Sequence, residues 1–286
     1  MINLWYEDSH FQGRMTGPEK LLNNLKESLE LSNIPYAINE DKFDKNFLVH
    51  YDAKGYEKHE NLDHETCFIG PQFWPFDNWG QFLTSNPNYY NKLIVPSDWV
   101  KNLLTSKLNV SDDKVSVWPV GISESNLNRN VRYDCLIYYK RRSEKELDTV
   151  CNFLASKKLT YNVISYGNYV ESDLELLASQ SRFCFLLNGT ESQGIAVQEI
   201  MDQNVPLFVW DVKDWSDLGD DYRVDATSVP YWDDTCGERF FDESEMSDTF
   251  SRFYDRINQY CPKDFISKNL SYEQSVQKLL EILNAN

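Results

Sequence analysis

Two glutamates eight residues apart, Glu191 and Glu199, bracket a glycine, Gly194, in the stretch TESQGIAVQEIMDQNVPLFV. One apolar run, FCFLL, precedes them and a second, VPLFV, follows. The first run predicts a strand that delivers the chain to the carboxyl edge of a sheet, where open α/β folds bind ligands. NGTESQ then reads as a loop, with a helix beginning near Gln193 or Gly194. Glycine at that start allows close approach, and the unpaired N–H groups and dipole of a helix start suit a phosphate. Glu191 would stand in the loop, and Glu199 about one and a half turns inside the helix, on the order of 8 Å further along. Carboxylates so placed can grip hydroxyls at two ends of an elongated polar ligand, with a phosphate on the helix tip between them. A pair at this spacing also arises by chance, so its neighbours decide its weight.

The chief neighbour is basic. The strand-like YDCLIYY runs directly into KRRSEKE, which brings Lys140, Arg141, Arg142 and Lys145 to the carboxyl edge of an adjoining strand. As a solvated helix start these residues would be unremarkable. As donors to a diphosphate they would neutralise charge on a departing nucleotide. They stand out because the 286-residue chain carries a formal net charge of −17. Such a surface repels a phosphate backbone and disfavours general nucleic-acid binding, while a local basic cluster can reverse the field within one cleft.

The elements that must position these groups alternate. In the first half, NLWYE, FLVHY, TCFIG and KLIVP read as strands. EKLLNNLKESLEL and DWVKNLLTSKL carry helical spacing, and VSVWPVG adds a short strand. The pattern stops in the polar segment Ser123–Asn130 and restarts as strand–helix pairs through PLFVW. Short apolar strands alternating with helices predict parallel sheets covered on both faces. The expectation is an α/β chain of two doubly wound domains, 1–125 and 126–286, with a boundary near 122–131. The amphipathic terminal helix, SYEQSVQKLLEILNAN, could pack back on the first domain. Asp- and Glu-rich residues 211–247 read as solvated acidic surface.

From Tyr133 to Trp210 the sequence resembles the retaining, family-4-like glycosyltransferases of the GT-B fold. Glu191-SQGIAVQ-Glu199 followed by NVPLFVW is similar to that family's Glu-x7-Glu motif with its small-residue turn and apolar strand. Lys140 and Lys145 are similar to its basic loop, and ISYGNYVESDLELLASQ to its base-binding loop and following helix. A weaker likeness covers QGRMTGPEKLLNNLKESLEL and NKLIVPSDWVKNLLTSKL in the first half. Ser192-Gln193 stands where the family usually has an aromatic, and Gly70-Pro71-Gln72 where many relatives carry a histidine.

The resemblance implies two Rossmann-like domains facing a central cleft, and sugar transfer from a nucleotide-diphosphate sugar with retention of configuration. It implies that Glu191 contacts the donor sugar, Glu199 the ribose hydroxyls, and Lys140 and Lys145 the diphosphate, with Arg141 as alternate to Lys140. Gly194 and Ile195 would offer backbone N–H groups to the phosphates, and Gly167, Asn168 and Tyr169 would lie against the base. Gly13 and Gly17 would let a first-domain loop approach the donor. No metal and no cofactor is expected, the nucleotide sugar being a co-substrate. The acceptor is open; the acidic surface ranks a free or lipid-linked glycan above DNA. A nucleotide-sugar epimerase on the same fold, or a non-catalytic sugar-nucleotide or glycan-binding module, would share these motifs.

Other features weigh less. His10 and Arg14, flanking the glycine loop, are further candidates for the cleft. His59 and His64 read as a polar surface loop rather than metal ligands. FWPFDNWGQF (73–82) either packs an inter-domain or surface face or stacks on sugar rings. The six cysteines show no CxxC spacing and read as thiols of a reducing cytosol. With no basic, apolar leader and no run near ~20 apolar residues, a cytoplasmic protein is expected. A hydrophobic fraction of 41% is enough for sizeable cores.

Overall fold

The apolar runs become the strands of two all-parallel sheets. The computed structural model describes residues 1–6, 17–40, 43–50, 62–125 and 127–285. It divides into two compact units, one of Met1–Gly121, Leu218–Val224 and Leu270–Asn286, the other of Ile122–Asp217 and Asp225–Asn269.

In the first unit β1 (Ile2–Trp5), β2 (Tyr36–Ile38), β3 (Asn46–His50), β4 (Cys67–Gln72), β5 (Lys92–Val95) and β6 (Val115–Val117) form a six-stranded sheet. The order is β2-β1-β3-β4-β5-β6. Helices α1 (Gly17–Leu31), α2 (Asn78–Ser85) and α3 (Asp98–Asn102) connect them. Asp77 opens α2 by accepting the Gly80 N–H at 2.7 Å, the carboxylate cap that leaves fewer helix-start donors unsatisfied. The aromatic segment divides its work: Trp79 is buried, whereas Trp74 is nearly half exposed. His64 stacks on Tyr89.

The second unit holds β7 (Tyr133–Lys140), α4 (Glu144–Ser156), β8 (Tyr161–Ser165), α5 (Glu171–Ser179), β9 (Ser181–Asn188), α6 (Ile195–Asp202), β10 (Leu207–Trp210) and β11 (Gly237–Phe240). α7 (Met246–Asp255) and α8 (Pro262–Asn269) complete it. Its strands lie in the order β11-β10-β9-β7-β8. The near-continuous apolar character of FCFLL follows, since a central parallel strand is covered on both faces. A core of rings fills the layer under β9 and β10: Phe208, fully buried, lies 5.1 Å from Phe185, 5.3 Å from Phe250 and 5.2 Å from Phe253 between ring centres.

The last helix, α9 (Tyr272–Asn284), belongs to the first unit. Its buried face of Val276, Leu279 and Leu283 needs a cover, and α1 provides it. Polar contacts fix its register: Trp118 Nε1 donates to the Ser275 carbonyl at 2.9 Å, and Ser275 Oγ donates to the Pro119 carbonyl at 2.9 Å. A single break near residue 125 therefore does not describe the chain, because Leu218–Val224 and Leu270–Asn286 group with the first unit.

Replacing Phe208 by alanine removes the ring on which four others pack, Phe240 at 5.0 Å being the fourth. Urea denaturation should show the unfolding free energy falling by about 3–5 kcal/mol.

Candidate active site at the carboxyl ends of β7 and β9

The chain leaves β7 to form β8 on one side and then crosses to form β9 on the other. The carboxyl ends of β7 and β9 are thus a topological switch point, the place where doubly wound sheets open a crevice. The final register pair of the two strands is Lys140 with Asn188. Gly189 carries the ladder one step further, its N–H donating to the Lys140 carbonyl at 2.9 Å. A Cβ at Gly189 would sit 3.2 Å from both Cβ and O of Arg141, so glycine lets the two turns close on each other.

The two predicted charges meet here. Lys140 Nζ lies 2.5 Å from Glu191 Oε1, with side chains only 13% and 10% exposed. Asn188 Nδ2 donates to the same oxygen at 2.7 Å, and Lys140 Nζ stands 4.2 Å from the centre of the Tyr166 ring. Removing either charge would strand the other in a poorly solvated site, typically a loss of about 3–5 kcal/mol. The Glu191 main chain is tied as well, its N–H donating to the Thr227 carbonyl at 3.1 Å. Thr227 and Ser228 are held in turn by Asp211, which accepts from both hydroxyls and from the Ser228 N–H. Asp211 is buried, a correction to its place in a stretch read as solvated acidic surface.

Gly194 follows Glu191 with φ of +81° and immediately precedes α6. That left-handed conformation favours glycine and turns the loop into the helix. Ile195 is the first residue of α6, and Glu199 lies in its second turn, partly buried. Across from Glu199 runs the loop 166–169. Burial, with the charge of Glu199 nearby, raises the Tyr169 phenol above its ordinary pKa. Its hydroxyl lies 3.4 Å from that of Tyr138. Tyr138 is raised much further, first by burial, then by Tyr169 and by the charge of Glu191. It remains a neutral phenol beneath the site. Asn168 and Tyr169, with Val163, Ile164, Asp173 and Leu177, line a cavity of about 430 Å³ beside β8.

The basic loop splits into two kinds of residue. Arg141 is exposed, with φ of +52°, in the turn after Lys140. Lys145 is exposed in the first turn of α4 and makes no ion pair among the described residues. Arg142 is different. Its guanidinium donates to the Asn188 carbonyl at 3.3 Å, the Trp210 carbonyl at 3.1 Å and Glu146 Oε1 at 2.6 Å. It also lies 5.0 Å from the Trp210 ring. It laces together the ends of β7, β9 and β10, so it is a strut and not a spare phosphate donor. Glu146, which receives it, also closes the Ser143 capping box that starts α4.

The structure therefore brings together Lys140, Arg141, Glu191, Gly194, Ile195, Glu199, Gly167, Asn168 and Tyr169 on one edge of one sheet. Gly17 opens α1 in the first unit, and a Cβ there would meet nothing within 4 Å. His10, Gly13, Arg14 and His59 lie outside the described residues. Sequence reasoning missed Tyr138, Tyr166, Asn188 and Asp211. Of these only Asn188, the polar residue closing an apolar strand, carried a readable signal. Among the described residues no helix is long and apolar enough to cross a membrane.

No protein-family model and no curated protein matches the sequence. Solved structures do. The apo lipopolysaccharide outer core galactosyltransferase WaaB matches with a TM-score of 0.62 at 13% identity, over 99% of this chain and 98% of that one. WaaG, a glycosyltransferase involved in lipopolysaccharide biosynthesis, matches with a TM-score of 0.54 at 8% identity, over 100% of both chains. A mutant of S. aureus TarM, solved with fondaparinux, α-GlcNAc-glycerol and UDP, matches with a TM-score of 0.57 at 12% identity. There 93% of this chain aligns but spans only 59% of the TarM chain.

Arg142→Met should lower the unfolding free energy by about 1.5–3 kcal/mol, the range for hydrogen bonds involving a charged group. Trp210, losing its cation, should report the change in tryptophan fluorescence. At identities this low the likeness is one of architecture, and that architecture is GT-B: two Rossmann-like parallel α/β domains.

Proposed function

We propose that this protein is a retaining glycosyltransferase that moves a sugar from a nucleotide-diphosphate donor to a hydroxyl of a free or lipid-linked glycan, without a metal. The observation that carries the reading is the Lys140–Glu191 contact at the switch point, beside a glycine-started helix. The fold neighbours support it, since WaaB and WaaG are glycosyltransferases and TarM was solved with UDP.

In this reading the donor's diphosphate becomes a second anionic partner of Lys140 beside Glu191, with Arg141 and Lys145 exposed alongside and the N–H groups at Gly194 and Ile195 facing it. Glu191 holds the sugar, Glu199 the ribose, and the 167–169 loop the base. The bond from the anomeric carbon to the phosphate oxygen breaks as the acceptor oxygen bonds to that carbon, and the acceptor's proton passes to the leaving diphosphate. Fixed cations aimed at the developing charge supply the main catalytic term, and one such donor is worth about 10²–10³ in rate. The protein's −17 charge favours a free or lipid-linked glycan acceptor over a nucleic acid.

Incubation with a panel of nucleotide sugars and glycan acceptors should release nucleoside diphosphate only when an acceptor is present. Lys140→Gln should lower kcat by about 10²-fold or more, while the exposed Lys145→Ala should raise the donor KM with the melting temperature unchanged. An epimerised nucleotide sugar formed without acceptor would make the protein an epimerase instead. Tight binding with no turnover in either assay would make it a binding module.

A further inference from the structure

The cavity beside β8 has a chemistry that discriminates among bases. It lies between the carboxyl half of β8, the 166–169 loop and α5, and its volume of about 430 Å³ falls in the range of small-molecule sites, ~300–1,000 Å³. Its walls mix apolar and polar surface: Val163 and Leu176, 39% and 52% exposed, stand among the Ser165 and Tyr169 hydroxyls, the Asn168 amide and the Asp173 carboxylate. Tyr166 and Val170, from the adjoining loop, are 54% and 61% exposed. Within the lining, the exposed Val163 and Leu176 side chains offer apolar surface to the face of a planar ring.

Of the four polar side chains in the lining, Ser165, Asn168, Tyr169 and Asp173, the two that stand exposed to a ligand are the Asn168 amide and the Asp173 carboxylate. Asp173 lies in the first turn of α5, and no lysine or arginine lines the cavity. An ionised carboxylate accepts hydrogen bonds and donates none. Resting on the donor-site reading above, we infer that the donor is a guanosine diphosphate sugar and that Asp173 selects its base.

The argument is one of donor patterns. Guanine alone among the common bases offers two adjacent donors, N1–H and the 2-amino group, which a carboxylate can take together. Uracil offers one N–H flanked by two carbonyl oxygens. Adenine and cytosine set a ring-nitrogen lone pair beside their amino group, and a carboxylate repels it. Asn168, with an amide N–H to give, matches guanine O6. A carboxylate reading two donors and an amide reading one acceptor specify a single base, by the same logic that lets side chains read base edges in nucleic acids.

Isothermal titration of the full chain with GDP, IDP, UDP, ADP and CDP tests this. GDP should bind at least about tenfold tighter than UDP, ADP or CDP, the discrimination expected of one bidentate pair. IDP, which lacks the 2-amino group, should bind several-fold weaker than GDP, a result that needs no variant. Asp173→Asn, an exposed position, should bring GDP level with IDP and close to UDP while leaving inorganic pyrophosphate binding unchanged. Equal or tighter binding of UDP, ADP or CDP by the unaltered protein would overturn the guanine assignment and leave the donor site standing. So would an Asp173→Asn variant that weakens every diphosphate alike. Binding of none of the five would overturn the donor site and this assignment together.

Discussion

An ammonium and a carboxylate, each about nine-tenths hidden from water, can persist only if they find one another. Lys140 and Glu191 do so at 2.5 Å, and much of the second unit is arranged to make that meeting unavoidable. Parallel pairing brings Lys140 opposite Asn188, Gly189 carries the ladder past the strand end, and the Asn188 amide fixes the carboxylate oxygen. The desolvation of such a pair offsets much of its attraction. Its value is therefore less in stability than in placement: a cation and a carboxylate stand ready at fixed points, mutually neutral until a ligand brings further charge.

That placement is enforced at a distance by side chains that never need to touch a ligand. Asp211, at the end of β10, gathers the hydroxyls of Thr227 and Ser228, and the Thr227 carbonyl in turn receives the Glu191 N–H. Arg142 performs the matching task on the other side. Its planar fork reaches carbonyls at the ends of β9 and β10 and the carboxylate of Glu146, which a lysine's single ammonium could not do together. Within three consecutive basic residues, then, the backbone assigns different work. Lys140 ends the strand and pairs with Glu191, Arg141 turns outward with positive φ, and Arg142 is drawn inward as a brace.

How much of this was legible in the sequence depends on which physical signal each residue carries. Strand and helix alternation showed because parallel strands are apolar on both faces and amphipathic helices keep their period. Glu191, Gly194 and Lys140 showed because charge and glycine are conspicuous at the ends of apolar runs. Tyr138 did not, since a tyrosine inside YDCLIYY looks like any other core ring, and only three dimensions aim its hydroxyl at Tyr169. Asp211 was hidden for the opposite reason: it heads an acidic stretch, and composition cannot separate the one buried carboxylate from its solvated neighbours. Arg142 was legible as charge but not as a brace. The terminal helix α9 showed as amphipathic and able to pack back on the first domain, and it groups with the first unit; the return of Leu218–Val224 to that unit carried no comparable pattern.

The order of the strands also divides the site by kind. β7 and β9 are interior strands, flanked on both sides, so their carboxyl ends are held by neighbours in every direction, and it is there that the charged pair lies. β8 is an edge strand; no further strand covers its outer side, and the hollow formed with α5 stays open. On the proposed reading, the group that every nucleotide sugar shares, the diphosphate, meets the braced centre of the sheet. The base, which differs between donors, meets the edge, where a single side chain on an exposed helix can change without disturbing the ladder. Charge differs along the same axis, with the Lys140–Glu191 pair and the exposed Arg141 at the centre and the Asp173 carboxylate at the rim. An elongated ligand with an anionic middle and a donor-rich end can lie along that axis in one direction only, which fixes the end from which the sugar is presented.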